Sequence, residues 1–449
     1  MNARAFAEQV CGALRSKGFQ AFLVGGCVRD ILLGRGPADY DVSTDATPTQ
    51  VEAIFAGSLT VGAKFGVVIV PEAGAGSAEP RRQQVEVATF RSDMGYSDGR
   101  HPDRVEYTKS PEDDVKRRDF TINGMLLDPE TKKVLDFVGG QDDLSAGIIR
   151  AIGDPETRFG EDKLRMVRAV RFAARFDYAI EPKTMQAIQK LAPEISQVSM
   201  ERLRDELTKI LTEGAARRGV ELLDQSGLLI YLLPEIARLK GVEQPPQFHP
   251  EGDVWIHTLM MIAGLPAGSS PTLAWGVLLH DVGKPPTFMP PSGPNGRIRF
   301  DRHVEVGVKM AEEICRRFHF SNEDTEQILA LVENHMRFKD VPKMKPATLK
   351  RFVRMEKFDE HLELHRLDSL ASHGKLDNHD FTRRFIAETP PEQVRPPRLL
   401  TGDDLIALGL KPSPKFKAIL YSIEEAQLDG TIQTQEEAMN LAKELASRE

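Results

Sequence analysis

The chain has 449 residues, enough for about three domains, each with a core of its own. Its 59 Lys and Arg against 67 Asp and Glu leave a net charge of −8, which repels a nucleic-acid backbone overall, so any RNA contact has to use local basic patches. Cys11, Cys27 and Cys315 are too few and too far apart for a disulfide framework or a zinc cluster, and no apolar run suits a signal peptide or membrane span, which together fit a reducing cytoplasm and no membrane partner.

Ala5 to Leu14 has the spacing of an amphipathic helix, and it leads into a short apolar strand, Ala21 to Val24, that stops at Gly25 and Gly26. Lacking Cβ atoms, these glycines let consecutive backbone N–H groups turn onto a phosphate, and a helix over Val28 to Leu33 points its positive end the same way. Downstream, Asp39 and Asp41 flank Tyr40 in a β-prone segment, where alternation sends both carboxylates to one face. Paired carboxylates repel unless divalent cations sit between them, the arrangement used for in-line displacement at phosphorus. Taken singly, a Gly-Gly turn is also an ordinary turn and an Asp-x-Asp an ordinary solvated loop. Together, GGCVRD followed by DYD resembles the first motif of the nucleotidyltransferase branch that holds the bacterial class II tRNA nucleotidyltransferases (CCA-adding enzymes) and the bacterial poly(A) polymerases. The resemblance implies that Asp39 and Asp41 hold catalytic Mg2+, with Gly25, Gly26 and Arg29 at the nucleotide.

Thr47 and Pro48 offer an N-cap and first helical residue for a helix through Phe55. Leu59 to Val61, Val67 to Val70 and Gln84 to Phe90 read as strands, with Ala73 to Arg82 a small-residue, charged loop. Glu86, between Val85 and Val87, is either a solvated sheet-surface residue or a site carboxylate. EVATFR resembles the family's third-carboxylate strand and implies the catalytic role. Arg91 to Asp103 reads as a polar loop similar to the flexible loop of CCA- and A-adding members, with Asp98 and Arg100 as participants. Arg117 and Arg118 place two forked cations beside Asp119, suited to phosphate oxygens and a ribose hydroxyl. RRDFTIN resembles the family's ribose-selecting motif, which extends the nucleotide set to Asn123; Gly124 stands where the family has Ala and is expected to soften the following strand. DFVGGQDDL is similar to the family's hinge, with Gly139 and Gly140 allowing rotation.

From Glu161 to Arg175 no residue breaks a helical period of Leu164, Val167, Val170 and Ala174, and Arg158 to Arg175 carries six basic against two acidic residues, a basic patch for RNA. Asp162 and Arg165, three apart, share a helix face and combine an acceptor with a donor fork able to read a base edge; a surface ion pair is the plain alternative. EDKLR followed by RAVRFAA resembles the family's EDxxR motif. This implies that Asp162 and Arg165 template the incoming base, that Glu161 orients Arg165, that Arg168 belongs to the nucleotide set, and that CTP and ATP are selected without a nucleic-acid template. SMERLRDELTKIL then reads as a structural helix capped by Ser199.

Beyond Phe248, His257, His280, Asp281, His303, His335 and Asp368 fall on predicted helices. An adjacent His-Asp on an apolar helix demands a partner, and imidazole with carboxylate suits a divalent transition metal. The order H, HD, H, H, D with LLHDVGK resembles the HD phosphohydrolases, implying His257, His280, Asp281 and Asp368 as ligands, with His303 and His335 as the extra histidines of multi-metal members. Pro390, Pro391, Pro396 and Pro397 mark a linker, and the closing helices near Lys411, Lys415 and Lys417 resemble the family's tail, which implies docking of tRNA, with a plain capping helix pair as the alternative from composition.

The expected fold is α+β, a small mixed β-sheet head followed by an all-helical neck, HD domain and tail. The expected domains are a head over 1–144, a neck over 145–245, an HD domain over 246–385 and a tail over 386–449. The expected function is template-independent addition of CCA to tRNA from CTP and ATP, with accessory HD phosphohydrolase chemistry. A-only addition, poly(A) synthesis, and an HD phosphohydrolase with an RNA-binding head are the alternatives. The oligomeric state is not legible.

Overall fold

The computed structural model describes residues 2–60, 66–72, 83–94, 104–247, 249–292 and 296–447. The chain divides into two compact units, Met1–Ala237 and Arg238–Glu449. The first opens with α1 (Ala3–Ser16), β1 (Ala21–Val24), α2 (Gly26–Leu32), β2 (Asp41–Thr44) and α3 (Pro48–Ile54), and continues with β3 (Leu59–Thr60), β4 (Val67–Pro71), β5 (Gln84–Thr89), β6 (Arg91–Met94), β7 (Arg104–Tyr107) and α4 (Pro111–Lys116). After a 3-10 turn over Thr121–Asn123 come β8 (Met125–Leu127), β9 (Val134–Asp136) and α5 (Gly140–Ala146). A mixed seven-stranded sheet runs β3-β4-β5-β2-β1-β8-β9. In it β2 pairs antiparallel with β1 and parallel with β5, which sets Asp41 directly opposite Glu86. Alternation buries Val85 and Val87 and leaves Glu86 on the open face.

The helical remainder of this unit comprises β10 (Ile148–Ile149), α6 (Pro155–Glu161), α7 (Leu164–Phe176), β11 (Ala179–Ile180), α8 (Pro182–Leu191), α9 (Met200–Thr212), α10 (Ala216–Gln225), α11 (Leu229–Leu232) and α12 (Pro234–Ala237). The second unit is helical, with α13 (Val254–Ala263), α14 (Pro271–Leu279), α15 (His303–Arg317), α16 (Asn322–Asn334), α17 (Pro346–Val353), α18 (Phe358–Ala371), α19 (Asp377–Glu388), α20 (Pro391–Val394), α21 (Gly402–Ala407), α22 (Pro414–Leu428) and α23 (Gln435–Ser447). One core gathers Phe338, Phe352 and Phe358, and the closing helices have their own around Leu405, Ile423 and Ala442. The α+β head and helical remainder are those the sequence predicts.

Several local expectations need correcting. The stretch over Glu161 to Arg175 is not one helix: Asp162 is extended (φ −149°, ψ 105°) and its Oδ1 accepts the Leu164 N–H at 3.1 Å, so a side chain competes with the helical backbone and splits α6 from α7. Arg91 to Met94 is not loop but a strand paired with β7, while Asp98, Arg100 and the loop over 73–82 lie outside the described residues. Gly124 lies immediately before β8, where a Cβ would press on Val138, Ile152 and Val115. Of the two glycines of the expected hinge, Gly140 is packed, since a Cβ on it would overlap the Thr121 carbonyl, whereas Gly139 is exposed and takes φ 77° at the start of α5.

Candidate active site and metal centre

In the first unit the site begins where β2 and β5 lie side by side. Burial, with the neighbouring charges of Glu86 and Asp39, pushes the Asp41 carboxyl up to about 6, and Arg118 only partly offsets this. Asp41 and Glu86 thus stand opposite each other on neighbouring strands inside the sheet, with the charge of Asp39 added from just before β2. That donor set of hard oxygens fits a divalent cation. Asp39 precedes β2 instead of lying within it, yet its charge still reaches Asp41. Gly25 takes φ 77° at the start of α2, and a Cβ on it would stand 3.5 Å from Arg118 Nη1. Arg118 Nη2 donates to Ser43 Oγ at 3.1 Å, on the Asp41 face of β2.

Behind these carboxylates, buried Asp114 accepts from Arg117 at 2.7 Å and from Arg118 at 2.9 Å. Burial alone would raise its carboxyl, but the two guanidinium groups outweigh that and lower it. Asp119 is likewise buried, and although burial opposes it, the Arg168 guanidinium brings its carboxyl down to about 2. Arg168 holds one Asp119 oxygen at 2.6 and 3.0 Å, and Asn123 donates to the other at 3.1 Å. Arg29 sits deeper than a phosphate ligand would: it donates to Asn123 at 2.6 Å and to Asp30 at 2.9 Å, and its guanidinium lies 4.6 Å from the Phe176 ring centre.

A further contact between the helical part of the unit and the head centres on Glu161. Glu161 Oε2 accepts from Arg165 at 2.6 Å and from Arg158 at 2.8 Å, which fixes the Arg165 fork. Arg165 then donates to the Arg117 carbonyl at 3.2 Å, and Arg158 to the Lys116 carbonyl at 2.7 Å. Asp162 Oδ2 accepts from Arg202 of α9 at 2.6 Å. The expected basic patch is largely neutralised inside the fold: Arg158 and Arg165 pair with Glu161, Lys163 with Glu194, Arg168 with Asp119, Arg171 with Glu206, and Arg175 with Glu213. Apart from Glu161, these carboxylates come from outside the stretch, where a local charge count overlooks them.

The second unit gathers all six expected metal-site residues. His280 and Asp281 lie at the C-terminal end of α14 and in the turn beyond it, not within a helix. His257, His280 and Asp368 offer ligand atoms within 4.8 Å of one another, as do Asp281, His303 and His335. In His280, His303 and His335 the Nδ1 lies 2.9, 2.9 and 2.7 Å from the carbonyl of Val277, Phe300 and Val332 respectively. A carbonyl only accepts, so each Nδ1 carries the hydrogen and each neutral ring presents its Nε2 lone pair. His257 Nδ1 meets Glu251 in the same manner at 2.8 Å. The Nε2 atoms of all four rings are buried without a hydrogen-bond partner, although carboxylate oxygens stand 3.0 Å (His280 to Asp281) and 3.3 Å (His257 to Asp368) away. The Nε2 lone pairs of His280, His303 and His335 thus point at shared positions, as those of metal ligands do, while His257 Nε2 faces Asp368. Burial pushes His335 down to about 4, whereas the carboxylates of Asp368 and Glu251 overcome burial to bring His257 up to about 9. A cleft of about 740 Å³ reaches this centre, lined by His249, Lys284, Arg299, Lys339, Lys375 and Asp368 among others.

Asp114, Arg202, His249 and Glu251 escaped the sequence reading. The first lies three and four residues before the arginines it holds, a spacing that could have shown it; Arg202 comes from forty residues away and left no local sign.

Residues 21–150 match the poly A polymerase head domain, 177–240 the probable RNA and SrmB-binding site of polymerase A, and 255–371 the HD domain. A CCA-adding enzyme of Geobacillus stearothermophilus is 42% identical over 219 residues, 49% of this chain and 52% of that protein. One from Ligilactobacillus salivarius is 41% identical over 247 residues, 54% and 59% of the two. The match therefore spans about half the length of these curated relatives. The crystal structure of a Bacillus stearothermophilus CCA-adding enzyme in complex with CTP aligns over 100% of this chain and 99% of that one, at 27% identity and a TM-score of 0.73. Among the described residues no helix is long and apolar enough to cross a membrane.

Proposed function

We propose that this chain, which belongs to the poly A polymerase head-domain family together with the CCA-adding enzymes, adds CCA to the 3′ end of tRNA from CTP and ATP in the cytoplasm. The observation that carries this reading is the joint at Arg117 and Arg118. Arg165, fixed by Glu161, is bonded to the Arg117 main chain, and the next residue, Arg118, reaches Ser43 beside Asp41. A base-reading fork and a phosphate-transfer edge are thereby held at a set separation.

In this reading Asp39 and Asp41 hold Mg2+, with Glu86 orienting the RNA hydroxyl. The bound cations would acidify that hydroxyl and neutralise charge on the departing pyrophosphate. The 3′ oxygen forms a bond to the α-phosphorus, the bond to pyrophosphate breaks, and the hydroxyl proton leaves to solvent or to Glu86. Gly25, Gly26, Arg117 and Arg118 receive the triphosphate, and Arg29 steadies Asn123 beneath it. Asp119, Asn123 and Arg168 sit at the ribose. Asp162 and Arg165 read the base edge, with Arg202 and Glu161 orienting them. We place the head over 1–144, the neck over 145–245, the HD domain over 246–385 and the tail over 386–449.

The convergent Nε2 atoms support a second activity, metal-dependent phosphoester hydrolysis at His257, His280, Asp281 and Asp368, with His303 and His335 completing a second ion position around Asp281. Imidazole nitrogen favours a transition metal there. The first activity is tested with tRNAs ending before CCA, after C and after CC, with CTP and ATP given singly and together. Growth by only the missing residues supports the proposal. Extension of only the CC substrate, by A, would indicate an A-adding enzyme; long A tails a poly(A) polymerase; and no growth with HD hydrolysis intact an RNA-binding head.

A further inference from the structure

We propose that Glu251 is the positioning carboxylate of the histidine-rich centre, setting His257 so that its Nε2 serves the metal. The inference rests on the metal reading given above. Glu251 lies in the turn before α13, six residues ahead of His257, and its side chain is 4% exposed. Its Oε1 stands 2.8 Å from His257 Nδ1 and 2.8 Å from His249 Nδ1, and its Oε2 is buried with no hydrogen-bond partner. Because a carboxylate at this distance accepts, both Nδ1 atoms carry their hydrogens. For His257 that leaves Nε2 as the atom facing His280 and Asp368, where a bound cation would take the place of its proton. Negative charge at Nδ1–H makes Nε2 a better donor, the role carboxylates play behind metal-bound imidazoles. Keeping a carboxylate buried with one idle oxygen costs stability that three apolar residues would not, which argues for a task beyond packing.

A rival reading gives an ion to His249, Glu251 and His257 themselves, whose atoms also lie within 4.8 Å of one another. It fails on two counts. His257 cannot lend Nδ1 to one ion and Nε2 to another while staying a neutral imidazole. Ligands at bonds of about 2.1 Å also stand roughly 3 Å or more apart, whereas both Glu251 contacts are 2.8 Å, the length of a charge-assisted hydrogen bond.

The test titrates Co2+ into the full chain, in excess Mg2+ to fill oxygen-only sites, reading affinity and the visible spectrum of the ion. E251Q, which keeps an acceptor but loses the charge, is expected to weaken Co2+ binding about tenfold, and E251A toward a hundredfold. H249A should leave the affinity within about threefold and the spectrum unchanged. Far-ultraviolet circular dichroism and tryptophan emission of each variant check folding, and E251Q carries the test if E251A misfolds. Equal affinities for E251Q and the wild type overturn the inference while leaving the metal reading intact. Loss in H249A equal to that in E251A overturns it in favour of the rival site. A wild-type chain that takes up no Co2+ overturns both the metal reading and this inference.

Discussion

Replacing Asp41 with Asn should stabilise the metal-free chain while abolishing nucleotide addition. Moving the Asp41 carboxyl from its ordinary 3.8 to about 6 is a shift of about two units, on the order of 3 kcal/mol at roughly 1.4 kcal/mol per unit. The sign follows from linkage: a pKa raised by folding favours the folded state below 3.8 and loses that benefit as pH rises through 6. At pH 7.5, without divalent ions, the ionised carboxylate costs about 3 kcal/mol that Asn avoids; at pH 5 the gap shrinks to about half. Both tryptophans, Trp255 and Trp275, lie in the second unit, so their emission does not follow this region. Hydrogen exchange of peptides covering β1, β2 and β5 in EDTA does. Added Mg2+ should protect these peptides in the wild type and not in D41N. Equal protection of the two chains at pH 7.5, or a gap that fails to narrow toward pH 5, would refute the reasoning.

Removing Arg202 takes away the 2.6 Å partner of Asp162. R202A should lose about tenfold of its preference for CTP and ATP over UTP and GTP, as befits a charged hydrogen bond, and unchanged selectivity in single-turnover assays would count against Asp162 as a base reader. Asp119, lowered to about 2, contributes stability that is present above its unfolded value near 3.8 and disappears as pH falls toward 2. D119N should therefore lose about 2 kcal/mol at pH 7 by hydrogen exchange of α7 and show no further loss from pH 4 to 2; a wild-type-like acid profile would reject this. A Cβ on Gly283 would overlap the His303 carbonyl and crowd Gly307, so G283A should displace α15 and weaken Co2+ binding at least tenfold by calorimetry, an effect absent if His303 is not a ligand.

Much of the head was readable because its signals are local. Val85 and Val87 bracket Glu86 with a period of two, and Thr47 before Pro48 fixes the start of α3 through a capping box with Gln50. The histidine centre was readable from residue types in order, although His280, Asp281, His303 and His335 turned out to sit at helix ends or just beyond them while His257 and Asp368 lie within helices. What stayed hidden depends on tertiary competition. The break at Asp162 leaves the apolar period intact on either side, and only the carboxylate's hold on the Leu164 N–H reveals it. The arginines of α7 look like a patch for RNA until Asp119, Glu206 and Glu213 arrive from elsewhere in the chain. Glu251 reads as a loop acid, since nothing nearby in sequence says that two imidazoles will share one of its oxygens.

The pairing of three ring nitrogens with carbonyls three residues back has a kinetic corollary. Each imidazole is oriented by its own stretch of chain, so the arrangement does not need an ion to organise it. A stripped chain should reload at a rate set by ion dehydration and passage through the cleft, without the lag of a refolding step.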